Sequence, residues 1–83
     1  MIVSVYAVRD LVAKSFNQPW VDVNDEVAMR GFAQAINNNS VMGFRPADFQ
    51  LFQLGEFDTD KGDLKPIIPV LLARGDDVIA DRS

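Results

Sequence analysis

Three carboxylates, Asp58, Asp60 and Asp63, crowd into six positions beside Lys61 and Gly62, and they are the first place to look for chemistry. The spacing looks superficially like a calcium loop. An EF-hand loop needs glycine at its sixth position and glutamate at its twelfth. Counted from Asp58, glycine is fifth, the sixth position is Asp63 and the twelfth is Pro69. A solvated hairpin turn is the better reading. An acid–base pair for glycoside or phosphoester chemistry would need a pocket that shifts one carboxyl pKa, and a turn supplies none. Ser4, Ser15, Ser40 and Ser83 have no histidine to activate them, because the chain contains none. No glycine-rich phosphate loop is present. The chain reads as a non-enzyme, with no catalytic residue, no metal site and no cofactor expected.

The aromatic side chains offer a different chemistry. Residues 2–9 are rich in β-branched and aromatic types and read as a strand. Val3, Val5 and Ala7 share one face, small enough to lie under a helix, and Ile2, Ser4, Tyr6 and Val8 share the other. In residues 49–57, a second clear strand, Phe52 and Leu54 share one face and Phe49, Leu51 and Phe57 the other. If a helix covers the second set, Tyr6 and Phe52 stand on the bare face. Edged by Arg9, Lys14, Lys61 or Lys65, such rings would form a stacking platform for unpaired bases. The competing readings are that this face buries itself in a homodimer, where Tyr, Trp and Phe are also enriched, or that it is ordinary core. Tyr6, Trp20 and Phe52 are the stacking candidates, with Arg9, Arg30, Lys61 and Lys65 as phosphate contacts.

The elements that must position these groups follow from pattern. Residues 10–13 connect the first strand to an extended segment over 14–23, where Pro19 places it at a sheet edge or breaks it. Asn24 is a helix N-cap, with Asp25 and Glu26 facing the positive end of the dipole. The helix runs to about Asn37 on a stripe of Val27, Ala28, Phe32, Ala35 and Ile36, with Met29 and Ala33 flanking it. Gly31 within it suggests close approach of the sheet, and Asn37 to Asn39 end it through a left-handed residue. Residues 40–48 form a loop with a short turn at Pro46–Asp48, its Phe44 and Phe49 pinning the helix-to-strand connection. Residues 59–62 make a hairpin turn with a positive φ at Gly62, and 64–68 form the fourth strand. From Val70 to Arg74 the pattern turns helix-like, and the acidic tail from residue 75 to 83 is loose or docked on a partner. The fold class is α+β: a single domain, ββαββ, with an antiparallel four-stranded sheet and one helix packed on one face.

Composition sets the limits. Eighty-three residues make one domain and bury roughly 60% of the unfolded surface. Domains this small often need disulfides, a metal or a partner subunit. With no Cys and no His, only the partner remains, and 48% hydrophobic residues leave apolar surface for it. A homodimer is expected, through an apolar sheet face or the Val70 to Ala73 segment. No apolar run reaches the ~18–20 residues of a membrane span, and the N-terminus lacks the basic region of a signal peptide. Net charge is −4, from eight basic and twelve acidic side chains. That balance disfavours a DNA-condensing protein but leaves room for base stacking with local cations.

Several segments in succession resemble the small nonstructural protein of gokushovirus-type microviruses, the single-stranded DNA phages. They are Tyr6 to Asp10, Asn24 to Phe32, Arg45 to Asp58, and Gly62 with the proline-bearing strand behind it; Pro46 to Asp48, Leu51-Phe52 and Gly55 to Asp58 carry the most weight. The resemblance implies a non-capsid protein of the infected bacterial cytoplasm, commonly described as a DNA-binding or DNA-synthesis protein. Its suggested role is to switch replication towards single-stranded genomes for packaging. The alternative is an interaction module that binds a replication or assembly protein and never touches DNA.

Overall fold

The computed structural model describes residues 1–80. One antiparallel sheet is built from β1 (Ile2–Asp10), β2 (Ser15–Phe16), β3 (Trp20–Asp22), β4 (Phe49–Asp58) and β5 (Asp63–Arg74). The long strands lie in the order β1-β4-β5, and both short strands pair with the free side of β1. The architecture is α+β with five strands rather than four. The extended segment over 14–23 splits at Pro19 into two pieces, because proline cannot donate to the ladder.

α1 (Asp25–Asn38) crosses one face. Asn24 is its N-cap, accepting from the Val27 amide at 2.9 Å. Of the predicted stripe, Ala28, Phe32 and Ile36 are buried against Tyr6, Val8, Phe49 and Leu51, while Val27 and Ala35 are half-buried. At the other end Asn39 is extended rather than left-handed. It stops α1 by capping α2 (Ser40–Phe44), its side chain accepting from the Val41 and Met42 amides at 2.9 and 3.2 Å. A 3₁₀ turn at Pro46–Asp48 leads into β4. Phe49 is buried as a connection-pinning ring should be, whereas Phe44 stands exposed. Gly31 also differs from expectation. A Cβ there would meet nothing within 4 Å, so no close approach to the sheet requires it.

The faces of β1 are the reverse of the sequence reading. Cross-strand partners share a face, and Tyr6 opposes Gln53 while Val8 opposes Leu51. Tyr6 and Val8 therefore lie under the helix. Val3, Val5 and Ala7, opposite Phe57, Gly55 and Phe52, lie on the bare face. A β-bulge at Leu54 explains the misplaced Phe57. It inserts one residue opposite the Val5/Tyr6 junction, so the alternation read from Phe49 changes face before Phe57. At the bulge Gly55 lets β5 close in, since a Cβ would collide with the Lys65 carbonyl oxygen.

Residues 70–74 are strand, not helix. β5 continues to Arg74, pairing Val70, Leu71, Ala73 and Arg74 with β4. Pairing along β4 overrides the helix-like composition. The chain then turns at Gly75–Asp77 and is tied back to α1. Asn37 donates to the Val78 carbonyl at 2.9 Å and accepts from the Ala80 amide at 2.8 Å. The tail is thus docked on its own helix as far as Ala80; residues 81–83 lie outside the described residues. Gly62 has the expected positive φ of 69°. No helix among the described residues is long and apolar enough to cross a membrane.

Candidate functional site

The hairpin carboxylates hold the turn together. Asp58 Oδ1 accepts from the Asp60 and Lys61 amides at 2.9 and 3.3 Å, and Asp60 pairs with the N-terminal ammonium at 2.6 Å. Both roles are structural, as the solvated-turn reading requires.

At the opposite end of the sheet, the chain leaves β1 through a tight turn. Asp10 Oδ1 accepts from the Val12 and Ala13 amides at 3.0 and 3.1 Å, and Lys14 takes a left-handed conformation with φ of 59°. This reversal sets Phe16 opposite Arg9 on the bare face. The Arg9 guanidinium lies 5.2 Å from the centre of the Phe16 ring, within cation–π reach. Phe16 in turn meets Phe52 edge-on, centroids 5.5 Å apart at 77°, the geometry aromatic quadrupoles favour. Gln50 opposes both Arg9 on β1 and Arg74 on β5, so an Arg–Gln–Arg row crosses three strands. Arg74 is placed by the residue after it. Gly75 is buried where any Cβ would strike the Pro46 carbonyl oxygen.

Two rings, two guanidiniums and an amide thus share one end of a sheet face that no helix covers. Such a surface can stack an unpaired base and neutralise the adjacent phosphates. Gln50 adds a donor and an acceptor for a base edge.

Of the seven residues expected to touch nucleic acid, Arg9 and Phe52 stand in this cluster. Tyr6 does not: it is 0% exposed beneath α1, so its assignment to a bare face is corrected. Its hydroxyl donates to Asp25 Oδ1 at 2.7 Å. Burial first, and then the hydrogen bond to the Asp25 carboxylate, push the phenol up to about 12. Trp20 packs beside it, centroids 6.0 Å apart, and its indole donates to Asp22 Oδ2 at 3.1 Å. Arg30 is exposed on α1, in the other layer. Lys61 sits in the hairpin turn and Lys65 opposes Glu56, both towards the far end of the sheet from Arg9.

Phe16, Gln50 and Arg74 were not anticipated. Arg74 was hidden by the helix reading of its segment. Phe16 was legible in principle, since a tight turn over residues 11–14 pairs positions 9 and 16.

The chain matches no curated protein and no solved structure. The family model described as Phage ORF5 protein matches residues 3–78, nearly the whole length, and the chain belongs to that family.

Proposed function

We propose that this is a non-enzymatic phage accessory protein that binds single-stranded DNA during viral genome synthesis. The reading places it in the host bacterial cytoplasm, in the manner of the gokushovirus nonstructural protein it resembles. The observation that carries the reading is the Arg9, Phe16, Phe52 and Arg74 cluster on the bare end of the sheet. Base–aromatic stacking contributes roughly 1–3 kcal/mol per base and tolerates an unfavourable net charge. Duplex bases are already stacked on one another, so single strands are the expected ligand.

Fluorescence anisotropy with labelled single- and double-stranded oligonucleotides, at low and physiological salt, tests this. Single strands should bind more tightly than duplex. Phe52→Ala should weaken binding at every salt concentration, whereas Arg74→Ala should reduce the salt slope by about 1. No binding at tens of micromolar, a Kd of roughly 10⁻⁴ M or weaker, would exclude the reading. What would then remain is a module that contacts a replication or assembly protein, a reading supported by the apolar remainder of the same face.

A further inference from the structure

The bare face has a second part, between the cationic cluster and the hairpin. Val21, Val5, Leu54, Phe57 and Leu64 meet there in two adjoining shallow grooves of about 240 and 320 Å³, both lined by Val5, Pro19 and Leu64. Leu64 is 64% exposed and Val21 49%. Lys65 alone brings a charge to the lining. Ile68 on β5 is 88% exposed.

We propose that a second copy of this chain docks on this patch, face to face across a two-fold axis. A polyanion is excluded by the shortage of cations, and an aqueous small molecule by the near absence of polar groups. A two-fold contact brings the patch against itself, and with Lys65 as the one charged lining residue the patch meets its copy with little opposition of like charges.

The area agrees. Gln53 to Phe57 at ~3.3 Å per residue, across four strands at ~4.8 Å, span roughly 300 Å² in projection. That is within the ~300–600 Å² of the largest apolar patches on monomers, which are often functional. Two such patches bury roughly 600 Å² together, at the small end of weak, reversible association and far below obligate dimers. Continuation of the sheet through β5 is the less favourable route, because Pro66 and Pro69 remove two donors from that edge. Sheets that cross at a large angle overlap only at the centre. Each copy's Arg9–Phe16–Phe52–Arg74 cluster then stays uncovered, and the dimer carries two of them. This last consequence rests on the nucleic-acid reading; the dimer itself does not.

Sedimentation equilibrium of the full chain from ~10 μM to ~1 mM, the range of weak association, tests the contact. The mass should climb from 9.2 kDa towards twice that value. Leu64→Asp and Val21→Asp change exposed side chains at opposite edges of the patch, so both variants should keep the native circular dichroism and stay monomeric throughout. A wild-type mass of 9.2 kDa at the highest concentration overturns the proposal, as do dimers unaffected by both substitutions or assembly beyond two copies. The two functions separate cleanly. Leu64→Asp should keep its affinity for an oligonucleotide too short to span two clusters and lose the avidity for a long one. Phe52→Ala should do the reverse, weakening both oligonucleotides and leaving the dimer in place.

Discussion

Both faces of this sheet carry apolar side chains, and they are differently used. Beneath α1, Tyr6, Val8, Leu51 and Phe49 meet Ala28, Phe32 and Ile36 in a closed core. On the other side, Val3 and Ala7 are buried only by their own neighbours, while Phe16, Leu64, Val21 and Leu71 stay open to solvent. A face that folding alone explains is one a helix has sealed. A face that remains apolar without being sealed, and that gathers two guanidiniums at one end, is the one on which both proposals rest.

Truncating one aromatic on each side separates the two faces by the largest effect. Phe32→Ala empties a sealed core position, 1% exposed, and should cost about 3–5 kcal/mol, enough to unfold much of a domain this small. Phe52→Ala removes a half-buried ring and should cost only about 1 kcal/mol, because much of its surface was never withdrawn from water. Urea denaturation measures both. Equal losses would mean the two faces are not different in kind.

A smaller effect tests what holds the helix to β1. Tyr6→Phe deletes the hydroxyl that donates to Asp25 and should destabilise by about 1–2 kcal/mol, since a charge-assisted bond is lost while the carboxylate retains some water. The same variant reports on alkaline stability. Tyr6 titrates near 10 when unfolded and near 12 when folded. Between those values the unfolded chain has released a proton that the folded chain still holds. The contribution of Tyr6 is therefore complete below pH 10 and lost as pH rises towards 12. Thermal melts at stepped pH should show wild type falling more steeply than Tyr6→Phe across that window; parallel curves would remove Tyr6 as the cause.

The smallest change should be a gain. Gly31→Ala places a methyl group in open space on α1 and should stabilise by about 0.5–1 kcal/mol through helix propensity. A loss would reveal a contact on the outer face of the helix.

Local features were legible in the residues. The Asn24 cap, the Ala28–Phe32–Ile36 stripe, the Gly62 turn and the strand character of β1 and β4 each depend on neighbours within a few positions, and the side chains involved state their preferences directly. The sheet's pairing was not legible in this way. Which face of β1 meets the helix depends on its register with β4, some fifty residues away, and on a bulge at Leu54 that shifts the alternation by one. A single slip of register exchanges Tyr6 for Val5, so a reading that relied on side-chain size alone put the tyrosine on the wrong side. The strand at Val70 to Arg74 follows the same rule: its composition permits a helix, and only the hydrogen bonds offered by β4 decide otherwise. The candidate site shares that dependence. Arg9 and Phe52 are recognisable as types, but their meeting with Phe16, Gln50 and Arg74 exists only once three strands are in register.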